Sequence, residues 1–507
     1  MKPTVLKYLL SGALLALAAS QPLQAEKLVL LTTNDTHSQI DPDTKDNMGG
    51  AARRKVVVDS VRSTADNMLL VDAGDAVQGT LYFNLFGGEV EQKVMNALGY
   101  DLRILGNHEF DNGIDTLAAV LALADAEFLA TNYDLSHTPL NNEFDKYTTR
   151  RFGDKKIGFI GINLRPEGMI SEGNYDGLRY LDAMEAANAS AWWLKNIDTC
   201  DMVVAITHIG YAPSVPPGDL SLAQASDNID IIIGGHSHDL IDPSKDTYKW
   251  LVPNKNGKNV LITQNGKQGK YVGEITIDLD SLTTDYRLIP IDKRLDNRID
   301  PAIADLIAGY RAGVDSLMQV PVGRTAIELP QTSAELLNWA TDIVLARGRE
   351  LADDVDFAIL NKGGLRRGLP KGTITKGEIM TMLPFNNRID IIDIKGSDLI
   401  PAFEQMARIG GNGVSEGVEI TYEADDDDKD PEIESITING KPFDIATTYR
   451  VATIDYLAKG GDYMPSLAKG KPVVESQTVL YNDVLDYLKQ LRNRKIRPSG
   501  EVRFKKI

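Results

Sequence analysis

Five short polar motifs, each placed directly after an apolar run, constrain this chain more than any other feature. They are Asn34-Asp35-Thr36-His37, Asp72-Ala73-Gly74-Asp75, Gly106-Asn107-His108-Glu109-Phe110-Asp111, Thr207-His208-Ile209-Gly210 and Gly234-Gly235-His236-Ser237-His238-Asp239. Apolar runs at 28–33, 68–72, 103–105, 157–162, 202–207 and 229–233 read as strands, with helical patterns such as 51–65 and 183–195 between them. That alternation predicts an α/β layout with helices packed on a sheet. Ligands of such sheets bind in the crevice beyond the carboxyl ends of the strands. The five motifs can therefore converge on one point.

Five of the six histidines fall in four of these motifs. The ligand types on offer are imidazole, carboxylate and carboxamide, with no thiolate. Such a set suits a borderline divalent ion (zinc, manganese, iron or cobalt) better than magnesium in an all-oxygen cage. Asp-x-His and His-x-His each present two ligands on one side of an extended chain, because side chains two apart share a face. Asp75 stands alone, and a lone carboxylate is the natural bridge between two cations. About six or seven ligands are too many for one ion and right for two, an arrangement that clamps a phosphoryl group and generates hydroxide at neutral pH. Asp72 and Glu109 read as structural supports, and His137, outside every motif, as a surface-loop residue.

The chain has 507 residues, 43% hydrophobic and 25% charged, which predicts two or three soluble domains rather than a disordered or multi-span chain. Its formal net charge of -18 leaves no basic excess to hold duplex nucleic acid. Residues 1–25 read as a secretory signal peptide: Lys2 and Lys7, an apolar run over 8–19, then a small-residue cleavage site. The run is too short to span a bilayer. An exported protein, periplasmic or secreted, with no membrane span is expected. Cys200 is the only cysteine, so no intrachain disulfide and no cysteine-based zinc site can form. It reads as a buried, inert thiol.

The α/β pattern runs from 27 to about 290 and restarts after a helix over Pro301–Met318, with proline in its first turn. Beyond it, 333–349 and 396–408 read as helices and 357–360 and 389–394 as strands, with a hairpin at 418–423 and 433–438. The acidic run at 425–428 reads as its solvated tip rather than as a calcium loop.

The motifs also carry a resemblance. LVLLTTNDTHSQI at 28–40 resembles the first signature of the 5′-nucleotidase family and YDLRILGNHEFD at 100–111 its second. GGHSHD and THIG complete the pattern of the calcineurin-like metallophosphoesterases. NKGGLR at 361–366, LPF at 383–385 and AKGGD at 458–462 extend the likeness over essentially the whole mature chain. The resemblance implies an α/β protein with a four-layer α/β/β/α metallophosphoesterase domain over 26–298, a linker helix over 299–320 and a C-terminal α/β nucleotide-binding domain over 321–507.

The resemblance also implies two divalent ions, zinc or manganese. Asp35, His37, Asp75 and His238 would hold one, and Asp75, Asn107, His208 and His236 the other; many relatives carry Gln where His238 stands. His108, oriented by Asp111, would donate to the phosphoryl oxygens while a water or hydroxide held by the ions attacks phosphorus. Phe385 and Tyr456 would sandwich a base, Asp462 accept from ribose, and Asn361, Arg366 and Asn387 contact base or phosphate. The implied activity is release of phosphate and nucleoside from nucleoside 5′-phosphates. Alternatives are cyclic 2′,3′-nucleotides, UDP-sugars or dinucleotides as substrates, thiosulfate hydrolysis, or a non-catalytic ligand-binding role. One departure stands out: relatives carry an arginine in the region that here reads Leu329-Pro330-Gln331-Thr332-Ser333-Ala334. Lys362 and Arg367 are the nearby cations expected to replace it.

Overall fold

The computed structural model describes residues 26–141, 143–213, 217–424 and 431–507. The expected leader at 1–25 and the acidic tip at 425–428 lie outside the described residues.

The first half builds two six-stranded sheets. In one, Lys27–Thr33 runs between antiparallel Tyr271–Asp278 and parallel Asn67–Asp72. Leu102–Arg103 and Glu127–Phe128 extend that sheet in parallel, and antiparallel Thr284–Pro290 forms its other edge. In the second sheet Lys155–Asn163, Met202–His208, Ile231–Ile233 and Asn259–Thr263 are parallel neighbours. Tyr147–Phe152 and Leu251–Pro253 close its edges antiparallel.

The sheets face each other, so Leu28 and Leu30 of one share a buried cluster with Phe159, Val204 and Ile231 of the other. Their outer faces are covered as well. Val29, Leu31 and Leu70 pack on the helices Ala51–Arg62 and Glu89–Leu98, and Ile160, Val203 and Ile232 on Ala183–Asn196. The result is a helix–sheet–sheet–helix stack. Burial on both faces explains why these strands read as continuous apolar runs instead of alternating ones.

The helix Pro301–Met318 starts at Asp300, whose carboxylate accepts the Ala302 N–H, and carries Pro301 in its first turn. It buries Ile303 and Ile307 in the first domain's core. Its last residue, Met318, lies against Gly377 of the second half.

That second half is organised by a five-stranded sheet in the order Gly413–Val414, Phe357–Leu360, Thr448–Ile454, Arg388–Lys395, Lys471–Val479. The helices Ala334–Leu351, Gly396–Arg408 and Leu480–Gln490 bury their apolar stripes on it. The hairpin pairs Val418–Glu423 with Glu432–Ile438. One strand is shorter than expected. The run at 103–105 ladders only over Leu102–Arg103, because Ile104 and Leu105 are buried by core packing as the chain leaves the sheet towards Asn107.

Candidate metal centre and substrate pocket

All five motifs emerge at carboxyl ends of strands. Asp35, His37, Asp75, His236 and His238 leave them with φ of 48, 46, 54, 80 and 61°. Non-glycine residues rarely enter this left-handed region. Such strain costs about 1–3 kcal/mol per residue and clusters at functional sites.

The surroundings hold these turns. Glu109 accepts the backbone N–H groups of Asp75, Ala76 and Gly106 at 3.1, 2.8 and 2.6 Å, tying two motifs together. Asp72 accepts from the Thr33 hydroxyl at 2.6 Å. Both acids are supports, as their positions in the sequence suggest, and His137 is exposed on a loop. Gly106 is required by proximity: a Cβ there would lie 2.1 Å from Asp75 Oδ1.

The ligand atoms gather in two groups, Asp35–His37–His238 and Asp75–His208–His236, each with its atoms within 4.8 Å of one another. Asp75 Oδ2 lies between them, 3.9 Å from His37 Nε2 and 3.2 Å from His208 Nε2. His37 Nε2 is 2.9 Å from His238 Nε2, and Asn107 Oδ1 is 3.0 Å from His236 Nδ1.

The donor set fits divalent cations on one decisive contact. His208 donates Nδ1–H to the Ala73 carbonyl at 2.7 Å, which turns Nε2 towards the Asp75 carboxylate, 3.2 Å away. That buried nitrogen has no hydrogen-bond partner. The nitrogen and the carboxylate face one another, so a cation could take the place of the proton His208 holds between them. Ligation needs neutral imidazoles and ionised carboxylates, and part of the set already has them. Burial would lower His208, but the Asp75 carboxylate lifts it to about 10, and burial pushes Asp35 up to about 7, so these two would each give up a proton to an ion. Burial holds His37 and His238 well below the usual imidazole range and His236 down at about 3. The surrounding imidazoles, His208 foremost, overcome burial and keep Asp75 well below the usual carboxylate range.

The expected catalytic pair stands beside this centre, with His108 Nδ1 2.9 Å from Asp111 Oδ2. Burial alone would lower His108, but Asp111 and then Asp75 raise it above its ordinary value. Asp75, Asn107, His108, Asp111, His236 and His238 line a cavity of about 240 Å³ whose opposite wall comes from the second half. That wall holds all six residues singled out there: Asn361, Arg366, Phe385, Asn387, Tyr456 and Asp462. Asp35, His37 and His208 are buried beneath it. Asp462 accepts from Asn361 Nδ2 at 2.8 Å and lies 2.9 Å from the Tyr456 hydroxyl. Asn387 donates to Asp455 at 3.0 Å. Phe385 lies 5.7 Å, ring to ring, from His108.

Two expectations are corrected. Lys362 is turned onto the Ile409 carbonyl. Arg367 bridges the domains, 3.0 Å from Asp43 and 3.1 Å from Gln39. Neither lines the cavity, so neither stands in for the missing arginine. Conversely, Met169 and Ser171 line the cavity unannounced. Their loop carries no motif, and only the structure brings it over the site.

Residues 28–240 match the calcineurin-like phosphoesterases, and residues 317–469 match the 5′-nucleotidase C-terminal domain. The chain belongs to the 5′-nucleotidase family.

Similarity to other 5′-nucleotidase family members runs the length of the chain. The snake venom 5′-nucleotidase of Naja atra is 27% identical, over 94% of this chain and 98% of that protein. The trifunctional nucleotide phosphoesterase protein of Bacillus subtilis (strain 168) is 29% identical over 95% of this chain, which spans only 35% of its length. The crystal structure of a 5′-nucleotidase precursor from Thermus thermophilus superposes with a TM-score of 0.83 at 28% identity, covering 95% of this chain and 99% of that one. As a 5′-nucleotidase family member, the protein is a metal-dependent phosphoester hydrolase. No helix among the described residues is long and apolar enough to cross a membrane.

Proposed function

We propose that the protein is an exported two-metal 5′-nucleotidase that converts nucleoside 5′-phosphates to nucleoside and phosphate. The carrying observation is one cavity with Asp75, His236 and His238 on a wall, the rest of both ligand groups beneath it, and an aromatic, amide and carboxylate wall opposite. Asp35, His37, Asp75 and His238 would hold one ion, and Asp75, Asn107, His208 and His236 the other. Two such ions, zinc or manganese, supply Lewis-acid charge and an activated water.

The remaining residues bind and orient. With Nδ1 committed to Asp111, His108 has Nε2 free to donate to the phosphoryl oxygens as charge builds on them. Arg366 carries a guanidinium into the same cavity. Asp462, fixed by Asn361 and Tyr456, keeps lone pairs for ribose hydroxyls, and the Phe385 ring offers a stacking face tolerant of base identity. Export is supported by the basic start and short apolar run of residues 1–25.

The test is phosphate release from AMP, ATP, UDP-glucose, cyclic 2′,3′-AMP and an aryl phosphate, with manganese or zinc and with chelator. Metal-dependent release from AMP is expected. Hydrolysis of the cyclic or aryl esters without AMP would overturn the substrate assignment. The N-terminus of the secreted protein, read by mass spectrometry, tests export.

A further inference from the structure

One short loop supplies much of the second-domain wall of the cavity. Asn361, Gly363, Gly364 and Arg366 line the pocket from it, and its backbone is fastened within its own domain. Leu365 is wholly buried in that core. The Arg366 N–H donates to the Met382 carbonyl at 2.9 Å, and Leu329 and Leu369 exchange hydrogen bonds at 2.9 and 2.8 Å. The side chain of Arg367 leaves this loop for the first domain. Its Nη1 lies 3.0 Å from Asp43, and its Nη2 donates to Gln39 Oε1 at 3.1 Å. A guanidinium serving its own domain would find partners there; among the described residues Arg367 has its hydrogen bond and its ion pair with the other one.

The receiving side is equally fixed. Asp43 is buried, accepts the Lys45 N–H at 2.8 Å and gives its own N–H to the Met48 carbonyl at 2.8 Å. The Gln39 amide donates to the Asp41 carbonyl at 2.6 Å, which leaves Oε1 for Arg367. Gln39 stands two residues after His37, whose N–H donates to the Asp75 carbonyl at 3.0 Å. One side chain therefore ties the loop of Arg366 to the motif of His37. Other polar contacts between the domains are neutral, such as Asn84 Nδ2 to the Pro384 carbonyl at 2.6 Å and the Tyr456 hydroxyl to the Gly168 carbonyl at 3.0 Å. Among the described residues, Arg367–Asp43 is the ion pair that joins the two domains. With Asp43 buried, salt screens it less than it would a surface pair.

We infer that Arg367 is a positioning residue for nucleotide hydrolysis: its grip on Asp43 and Gln39 holds the loop of Asn361 and Arg366 at the distance from the metal motif at which one substrate touches both walls. The inference rests on the proposed hydrolysis of nucleotides in this cavity. Arg367 itself touches no substrate. Its effect is confined to molecules that need both walls, because a small displacement of a binding group weakens only the ligands that reach it. The planar fork engages a carboxylate and an amide together, which a lysine at this position could not copy in full.

The experiment is steady-state kinetics of the metal-loaded protein on AMP and on an aryl phosphate, for wild type, Arg367→Met, Arg367→Lys, Asp43→Asn and the double variant Arg367→Met/Asp43→Asn. Small-angle X-ray scattering of the same proteins without substrate reads the separation of the domains. In Arg367→Met, kcat/KM for AMP is expected to fall roughly tenfold, the scale of one charge-assisted hydrogen bond. The aryl phosphate and the metal content should not change. Arg367→Lys should fall between wild type and Arg367→Met, and the double variant should match Arg367→Met, because the two residues act as one contact. The radius of gyration should be larger in Arg367→Met than in wild type. AMP kinetics of Arg367→Met equal to wild type would overturn the inference. So would an equal loss on both substrates or a loss of metal, either of which marks a structural role, and so would additive losses in the double variant. A wild-type protein that cleaves the aryl phosphate but not AMP would sink the nucleotidase reading instead. Scattering then decides for Arg367, and an unchanged radius in Arg367→Met would overturn its positioning role.

Discussion

The backbone N–H of His108 donates to Asp75 Oδ1 at 2.9 Å. The other oxygen of Asp75 faces His37 and His208. One carboxylate therefore faces the candidate metal ligands and holds the peptide that carries the proposed hydrogen-bond donor to the phosphoryl group. The imidazole is further fixed by Asp111, so its position relative to the proposed metal site depends on backbone and carboxylate geometry rather than on a mobile side chain.

His108→Ala should accordingly lower kcat by about 10²–10³, the usual effect of removing a donor to developing negative charge. Metal content should stay at the wild-type level. Asp111→Asn, which keeps the shape but not the charge, should cost about tenfold. Steady-state kinetics with metal analysis of the same samples decides; loss of metal in His108→Ala would make that residue a ligand instead.

The Tyr456 hydroxyl spans the domains, 3.0 Å from the Gly168 carbonyl and 2.9 Å from Asp462. Tyr456→Phe keeps the ring and removes these contacts. A neutral hydrogen bond is worth about 1 kcal/mol, so KM for a nucleoside monophosphate should rise about fivefold. KM for an aryl phosphate, which does not need the second-domain wall, should not move. An equal rise for both substrates would place the hydroxyl's role in domain closure alone.

Much of this was readable in the chain because chemistry and burial leave local marks. Strands buried on both faces show as apolar runs, and the Pro301–Met318 helix announces itself through Asp300 and its first-turn proline. What was not readable is non-local. Tyr147–Phe152 is a half-exposed edge strand with a polar sequence, so it carries no apolar signal. The left-handed turns at the ligands fall on Asp and His rather than glycine. Arg367 looks available for phosphate until Asp43, over 300 positions earlier, is found beside it. The loop with Met169 and Ser171 has nothing to mark it.

Glu91, on the helix Glu89–Leu98, is buried, and burial pushes its carboxyl up to about 7 despite the Ser38 hydroxyl. Its folded pKa thus lies above the unfolded 4.5. The folded protein holds this proton between those values, so the stability it contributes is complete below about 4.5 and is lost as pH rises through about 7. The full shift is worth ~3 kcal/mol. Glu91→Gln should gain on wild type by up to that amount between pH 5 and pH 8. Urea unfolding of both proteins at each pH checks it; parallel profiles would mean that Glu91 is ionised in the folded state.

The central claim is that Asp75 bridges two ions that the reaction needs. Its most direct measurement is elemental mass spectrometry of the purified holoprotein, wild type and Asp75→Ala, alongside phosphate release before and after chelation. The account predicts two divalent ions per wild-type chain and fewer than two in Asp75→Ala. Activity should vanish on chelation and return with manganese or zinc. A fully active wild-type enzyme carrying a single ion, or undiminished activity in metal-free protein, would contradict it.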